Sequence, residues 1–540
     1  MSNELKKPKA SPAKVAYHLE RHRKLFARAS DRPFLQRVWG VDALYSEHAE
    51  AAATVLAFPP EAADQFPNSR FAVHPWELET LLIQRFLAPG GGVQPNGNAV
   101  LDCSKFNSVV DLVNRLRQLE NVESAAYLGG GTFNVFGELY RIAQRQFHWQ
   151  RGYYNLPQIY RYTFIYAQGK CAEYFENTYG LPITLLNFVG FALFVQAMRA
   201  PWIGRSLVVQ QVGFTADQME RALPLLLIPA DRAREETKKI TDSMNAKHGW
   251  PIPTAFLPSI FRRYPLISVD SRATEFIAPI AEVLLMRVTS GLYYDLIPGG
   301  QALLNEANDR FEEYCAAFID AVMERFKVRR AYRYEPQKGA SVDTPDLLVQ
   351  DGEKIVLAVE CKATKLIYLA QFAEDPFEAA KTQYLQIAKG VFQLWRFFSD
   401  VRRGFITEPV DSETSPMVLT LDSFIMMSSE LRSKIIEEAS SLADKARDIT
   451  AEDRRKVIFC PIEGFEEVLT VSTEDSFLAT LKAARDEKYR DWELREINRS
   501  ETAGTEQIEP KEFPFKLDGL LPWYKRFREL LDEEAAGDRG

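Results

Sequence analysis

Two short apolar segments on either side of a turn constrain the fold of this chain more than any other feature. Residues 344–349 and 355–362 are each long enough for a β-strand, and the Asp-Gly between them is a frequent turn sequence. Residues 355–359 are continuously apolar, which is typical of a buried central strand rather than an edge strand. We therefore expect a β-hairpin whose second strand lies inside a sheet.

Charged residues occupy the far end of this hairpin. Asp346 begins the first strand, and Glu360, Cys361 and Lys362 end the second. Glu360 and Lys362 are two residues apart, so their side chains point to one face and Cys361 points to the other. Carboxylates suit Mg²⁺ or Mn²⁺, which can activate a water and stabilise phosphate charge, while a lysine orients the water. The pattern predicts metal-assisted phosphodiester cleavage; the alternative is a pair of edge strands with solvated charges.

The two acids can share an ion only if the hairpin register allows it. A regular two-residue turn would set Asp346 and Glu360 on opposite faces. One additional residue would place Asp346 opposite Ala358, with Glu360 as its diagonal neighbour. We therefore predict a three- or five-residue loop, or a bulge or bend near Asp346.

The order of elements around the hairpin extends the pattern. Periodicity predicts an amphipathic helix over 302–326, a short strand near 331–334, a helix over 376–398 and strands at 417–421 and 456–460. With Pro345-Asp346 and Glu360-x-Lys362 on consecutive strands, residues 300–425 resemble the PD-(D/E)xK nuclease superfamily. The resemblance implies a restriction-endonuclease-like α/β domain, with a mixed sheet flanked by helices and the order helix-strand-strand-strand-helix-strand.

The resemblance also implies further site residues. In the superfamily the carbonyl of the residue at the Cys361 position helps to bind the metal. Phe311-Glu312 resembles the Phe-Glu step of the first helix, whose glutamate completes the metal shell. That match favours Glu312 over Glu313, and a solvated helix face is the alternative for both.

Related nucleases place a glutamine or lysine next to the active centre on the later helix. Gln386 and Lys389 lie one turn apart on that helix, and Gln383 competes with Gln386 for the role. We predict that Gln386 takes part in catalysis and that Lys389 contacts nucleic acid.

The net charge of −8 argues against a chain that binds nucleic acid with its whole surface. Any nucleic acid would have to bind to local basic patches. A basic stretch precedes the acidic hairpin and supplies the predicted nucleic-acid contacts Arg329, Arg330, Arg333 and Lys338. The alternative is a solvated face. A second basic stretch, near the N-terminus, is interpreted as a solvated face or a mobile terminus.

Three domains are predicted: residues 1–296, mainly helical and serving as a sensor, substrate-selection or assembly domain; 297–475, nuclease-like; and 476–540, a helical and acidic extension. The apolar run 181–198 is interpreted as a buried core helix and not as a membrane span, because polar residues interrupt it. The five cysteines occur singly and no secretory signal is visible, which favours the cytoplasm.

The functional expectation is a Mg²⁺- or Mn²⁺-dependent DNA endonuclease. The superfamily suggests a homodimer, the N-terminal domain suggests a partner protein or trigger, and the architecture is similar to bacterial antiphage effectors by analogy. All six histidines precede residue 250 without metalloprotease or histidine-nuclease spacing. Two alternatives stay open: a catalytically silent nucleic-acid-binding or assembly protein, and an RNA-directed nuclease.

Overall fold

The structure is a computed structural model of the 540-residue chain. It describes residues 11–64, 69–89, 101–129, 135–151, 155–248, 251–337, 339–366, 368–373, 375–504 and 508–537. Lys338, one of the predicted nucleic-acid contacts, lies outside the described residues. The architecture is mixed α/β, in agreement with the predicted class.

In the described part of the chain the α-helices are α1 (Pro12–Ala27), α2 (Asp31–Tyr45), α3 (Ala49–Ala53), α4 (Pro75–Leu87), α5 (Phe106–Gly129), α6 (Val135–Arg151), α7 (Leu156–Tyr166), α8 (Gly169–Tyr179), α9 (Ile183–Arg199), α10 (Ala216–Leu226), α11 (Ala230–His248), α12 (Glu282–Val288), α13 (Leu292–Leu296), α14 (Gln301–Val322), α15 (Tyr368–Gln371), α16 (Pro376–Ala379), α17 (Lys381–Arg402), α18 (Ser429–Ala446), α19 (Ile462–Thr470), α20 (Glu474–Ala483), α21 (Leu494–Glu501) and α22 (Pro522–Gly537).

The β-strands are β1 (Trp202–Gly204), β2 (Leu227–Pro229), β3 (Leu266–Ser268), β4 (Glu275–Ile277), β5 (Phe326–Arg330), β6 (Arg333–Gln337), β7 (Ala340–Asp343), β8 (Leu347–Asp351), β9 (Lys354–Lys362), β10 (Ser415–Thr420) and β11 (Ile458–Pro461).

The chain divides into two compact units that do not follow the chain order. Unit 1 comprises Met1–Asn155, Ala172–Asp295 and Leu517–Gly540, and unit 2 comprises Leu156–Cys171 and Leu296–Lys516. The predicted boundary after residue 296 lies one residue from one of these divisions. The segment 156–171 and the C-terminal extension, however, are grouped differently from the predicted domains.

Unit 1 is mainly helical, with one small sheet of three-residue strands in the order β1-β4-β3-β2. The predicted buried helix is confirmed as α9, whose side chains from Ile183 to Ala197 are largely inaccessible. Among the described residues no single helix is long and apolar enough to cross a membrane. Only α8 and α9 together, as a bent pair, have the required length and composition.

Unit 2 is built on a five-stranded sheet with the order β11-β10-β9-β8-β5. β9 pairs antiparallel with β8 and parallel with β10, so it lies in the middle of a mixed sheet. The seven residues of β9 between its ends are all buried, which confirms the predicted central strand. Helix α14 buries one side, because apolar residues recur every three or four positions: Leu303, Ala307, Phe311, Tyr314, Cys315, Phe318 and Val322.

The sequence-based element order needs one correction. The helix predicted to reach residue 326 ends at Val322, and the next strand of the sheet is β5 rather than a strand at 331–334. β6 and β7 form a separate antiparallel pair, and in the described part of the chain neither joins the five-stranded sheet. The basic, polar composition of this stretch fits a small exposed ribbon better than a sheet interior.

The β8–β9 register contains the one-residue shift that the two acids require. Asp351 pairs with Lys354 and Gln350 with Ile355, but Val349 pairs with Leu357, so Val356 is an additional residue on β9. The register then continues to Leu347 opposite Val359, which sets Asp346 opposite Glu360. The predicted shift is confirmed as a bulge. Of the two predicted alternatives, the bulge is present and the odd-length loop is not. The predicted diagonal placement of the acids was wrong, because the two-residue turn is Gly352-Glu353 and not Asp351-Gly352, so Asp346 lies opposite Glu360 rather than Ala358.

Candidate active site

Three of the predicted site residues, Asp346, Glu360 and Lys362, lie together where β8 begins and β9 ends. The Lys362 ammonium lies 2.8 Å from Glu360 Oε2 and 3.8 Å from Asp346 Oδ2. Asp346 immediately precedes β8, and its Oδ2 accepts a hydrogen bond of 2.7 Å from the Cys361 backbone N–H. Two carboxylates and one ammonium therefore share one end of the hairpin, as the bulged register requires.

Glu360 is the most buried member of this group, with 0% of its surface exposed. Its Oε1 is buried and has no hydrogen-bond partner among the described residues. Burial raises the pKa of Glu360 to about 8; the Lys362 ammonium opposes the shift and the Asp346 charge adds to it. A buried carboxylate oxygen without a partner is costly unless something else binds it.

Lys362 stays charged in this environment. Burial alone would lower its pKa, but the carboxylates of Glu360 and Asp346 outweigh burial and raise the pKa above its ordinary value. The side chain is 16% exposed, so part of it is open to solvent. A fixed cation with access to the outside is suited to stabilise negative charge on an incoming anion.

Glu312 on α14 belongs to the same electrostatic group. Burial, together with the nearby Asp346 charge, raises its pKa to about 7, although Arg330 opposes both. Arg330 Nη2 donates to Glu312 Oε2 at 3.1 Å. The preference for Glu312 over Glu313 therefore agrees with the position of Glu312 near Asp346.

Asn308 ties Glu312 to the end of β9. Its amide nitrogen donates to Glu312 Oε1 at 2.7 Å, and its amide oxygen accepts a bond of 3.1 Å from the Ala363 backbone N–H. Asn308 thus joins α14 to the residue that follows Lys362. Sequence reasoning missed it, although its position one helical turn before Glu312 was a readable signal.

Helix α17 covers the other side of this group at Gly390. A Cβ added at Gly390 would lie 3.0 Å from Lys362 Cε and 3.5 Å from Glu360 Cβ. A side chain at this position would therefore press on the end of Lys362, so the helix lies unusually close to the strand. The sequence offered one signal for this contact, because glycine inside a helix is unfavourable unless close packing needs it.

Gln386 and Lys389 lie on the exposed side of α17. Gln386 Oε1 accepts a hydrogen bond of 3.3 Å from Thr364, two residues beyond Lys362. No described hydrogen bond or ion pair joins Gln386 or Lys389 to the acidic group. Their roles in catalysis and nucleic-acid contact remain predictions, and Gln383, which is partly exposed, remains the alternative to Gln386.

The three described arginines of the predicted nucleic-acid contact all have acidic partners. Arg329 pairs with Glu408 at 2.7 Å, Arg330 with Glu312 at 3.1 Å and Arg333 with Asp343 at 3.0 Å. All three arginine side chains are partly exposed, but their partners Glu408 and Glu312 are only 15% and 12% exposed. The Arg333–Asp343 pair, 72% and 53% exposed, is the surface kind that contributes about 0–1 kcal/mol, so a phosphate could replace that carboxylate at small cost.

The oxygen donors of this group fit a hard divalent cation. Asp346 and Glu360 supply carboxylates and Glu360 Oε1 is buried without a partner, while the Cys361 thiol is buried beside Cys315 and points away. Among the described residues no group of three or more His, Cys, Asp or Glu side chains has the arrangement to hold a metal ion. Mg²⁺ does not need such a group, because it binds one or two carboxylates and keeps several waters.

Comparisons with known proteins return no match: no family model, no curated protein and no solved structure matches this chain.

Proposed function

We propose that this protein is a Mg²⁺- or Mn²⁺-dependent nuclease of the PD-(D/E)xK type, and that DNA is its substrate. The observation that carries the proposal is the convergence of Asp346, Glu360 and Lys362, with one oxygen of the buried Glu360 left without a partner. A buried charge is costly, and such a group at the end of a central strand is typical of a functional site.

Each residue has a distinct role in this proposal. Asp346 and Glu360 would hold the cation, which, when bound, lowers the pKa of a water and offsets charge on the phosphate. The superfamily implies Glu312 as a further acid near the cation and the Cys361 carbonyl as a further ligand. Lys362 would hold the attacking water and stabilise the additional negative charge of the transition state.

The test is a cleavage assay on the full chain with Mg²⁺, with Mn²⁺ and with EDTA. Substrates are supercoiled plasmid, linear duplex DNA, single-stranded DNA and single-stranded RNA. We expect metal-dependent cleavage of duplex DNA, and a loss of about 10²–10³-fold in rate for Asp346→Asn and for Lys362→Ala. Cleavage of RNA alone would replace DNA by RNA as the substrate.

Matched controls come from the other end of the same hairpin. Asp351→Asn and Lys354→Ala remove an acid and a lysine that form ion pairs away from the proposed site, with Arg325 and Asp411 respectively. Both variants should cleave at the wild-type rate. If wild type and the Asp346 and Lys362 variants are equally inactive on every substrate and metal, the nuclease proposal is wrong and a silent binding or assembly role takes its place.

A further inference from the structure

A second concave region of unit 2 lies away from the hairpin end that carries Glu360 and Lys362. It is bounded by α17, α18, the first residues of β11 and residues 484–497, and its volume is about 530 Å³. Pockets of about 300–1,000 Å³ are typical of small-molecule sites. We call it the Trp492 pocket, after the half-exposed aromatic residue on its wall.

The lining of the Trp492 pocket contains more cationic than acidic residues, and one of the cations, Arg454, also pairs with Asp444 outside the lining. Five cationic residues line it, against three acidic ones: Arg432, Arg454, Arg455, Lys456 and Arg490 against Glu437, Glu487 and Asp491. The chain as a whole carries −8. A local excess of positive charge raises the concentration of anions at such a surface.

The cations divide into those that build the wall and those that can receive a ligand. Arg432 donates to Asp491 at 2.8 Å, and Arg455 donates to the Asp411 carbonyl at 2.6 Å and stacks on Phe398. The side chain of Arg490, by contrast, is 67% exposed, and its nearest carboxylates are 3.9 and 4.0 Å away. Arg490 therefore has little to release before it binds an anion.

Lys456 is the second available cation of the pocket. Its ammonium donates to the Asp486 carbonyl at 2.8 Å and lies 3.7 Å from Glu487. An ammonium has three donors, and the backbone carbonyl uses one. Since the side chain is 34% exposed, Lys456 can turn a further N–H toward a phosphate oxygen.

Trp492 offers an aromatic face beside these cations. Half of its surface is exposed, and Tyr489 contacts it edge to face with ring centroids 5.3 Å apart. The preceding residue, Asp491, has a φ of 69°, a conformation that non-glycine residues rarely adopt. Arg432 holds the Asp491 carboxylate, so a strained but anchored residue sets the orientation of Trp492.

We propose that the Trp492 pocket binds a nucleoside phosphate, with the base stacked on Trp492 and the phosphate paired with Arg490 and Lys456. An aromatic face next to exposed cations matches the two parts of such a ligand, a planar base and an anion. The recognised group, a base with its phosphate, is the same in a free nucleotide and in a single-stranded nucleic acid.

The test is calorimetric titration of the full chain with AMP, with ATP, with a short single-stranded oligonucleotide and with inorganic phosphate. EDTA is present throughout to remove divalent metal, so that binding is measured without the proposed cleavage reaction. A failure of the nuclease proposal therefore does not affect this test. AMP or ATP binding assigns the site to free nucleotides, and binding of the oligonucleotide alone assigns it to a nucleic-acid strand. Inorganic phosphate should bind at least about tenfold more weakly, because it lacks the base.

Variants distinguish binding in the Trp492 pocket from non-specific electrostatic attraction to the protein surface. Arg490→Ala and Trp492→Ala should each weaken binding about tenfold, whereas Trp492→Phe, which keeps a ring, should bind nearly as well as wild type. Arg499→Ala is the matched control, because Arg499 is similarly exposed, at 61%, and lies outside the pocket lining. Absence of nucleotide and oligonucleotide binding, or binding that neither Arg490→Ala nor Trp492→Ala weakens, would overturn the proposal. If Trp492→Ala fails to fold, Arg490→Ala decides the test, and unchanged binding by that variant overturns the proposal.

Discussion

Glu360 and Glu466 are both buried glutamates of unit 2 with cationic partners, and they differ in how completely their oxygens are satisfied. Glu466 accepts bonds from Arg161 at 2.5 and 2.6 Å and from the Tyr314 hydroxyl at 2.5 Å, so both oxygens are occupied. Glu360 has Lys362 on one oxygen only, and the other has no hydrogen-bond partner in the described part of the chain.

This difference separates a structural ion pair from a candidate reactive one. A buried ion pair is tolerated when hydrogen bonds satisfy the remaining polar atoms, as they do around Glu466. An open carboxylate oxygen beside a fixed ammonium stabilises nothing further within the fold. It is therefore the better candidate for binding something from outside. Replacing glutamate by glutamine should therefore mainly lower stability at Glu466 and mainly lower the proposed activity at Glu360.

The largest effect on stability is expected for Glu466→Gln. The substitution removes the hydrogen-bonded counter-charge of Arg161, whose side chain is 0% exposed, and breaking such a buried pair costs about 3–5 kcal/mol. The measurement is denaturant unfolding of the full chain. A loss below about 1 kcal/mol would remove the contrast with Glu360.

Glu360→Gln should leave stability within about 1 kcal/mol of wild type, because glutamine keeps the shape and an acceptor for Lys362. Under the proposed function the cleavage rate should fall about 100-fold or more, because a neutral amide is a weaker cation ligand and carries no charge. Unfolding and cleavage are measured on the same preparation. A destabilisation as large as that of Glu466→Gln would show that Glu360 is mainly structural.

Asp42 in unit 1 extends the comparison to a buried carboxyl that accepts a hydrogen bond of 3.0 Å from a backbone group, the Ala281 N–H. Burial raises its pKa to about 8, so the folded state holds a proton that the unfolded state releases near pH 4. Stability should therefore fall as pH rises from about 4 to 8, by at most about 1.4 kcal/mol per pH unit from this group.

Asp42→Asn should remove that part of the pH dependence, because an amide keeps an acceptor for the backbone N–H and does not ionise. The measurement is the unfolding midpoint at several pH values between 4 and 8. Asp242→Asn, at an exposed position on α11, is the control and should follow wild type. Parallel curves for Asp42→Asn and wild type would contradict the prediction.

The smallest effect is expected at Asn308, which positions Glu312 without belonging to the acidic group. Asn308→Ala should lower the proposed cleavage activity about tenfold, in the range found when a partner of a metal ligand is removed. Asn305→Ala, one turn earlier and exposed, should have no effect. Equal rates for the two variants would show that Glu312 needs no support from Asn308.

Contacts that are close in the sequence could be predicted, and distant ones could not. The hairpin, the shared face of Glu360 and Lys362 and the need for a register shift all follow from alternation along two adjacent strands. The position of the additional residue at Val356 could not be predicted, since an odd-length loop and a bulge would both shift the register by one residue. The β6–β7 ribbon was missed because a short polar strand carries little pattern.

The Arg161–Glu466 pair shows the limit of sequence reasoning. The two residues are 305 positions apart, and each is an ordinary charged residue on its own helix. Nothing local marks either as buried, because burial there depends on segment 156–171 belonging to unit 2. The Trp492 pocket is assembled in the same way, from α17, α18, β11 and a later loop.

The bulge at Val356 has a consequence for how this hairpin can evolve. Losing one residue between Asp346 and Glu360 would keep every letter of the motif yet turn the two acids to opposite faces, whereas losing two would restore their alignment. Lineages descended from this chain should therefore tolerate length changes here in even steps. An ancestor with the same letters and an odd difference in spacing would not have had this site.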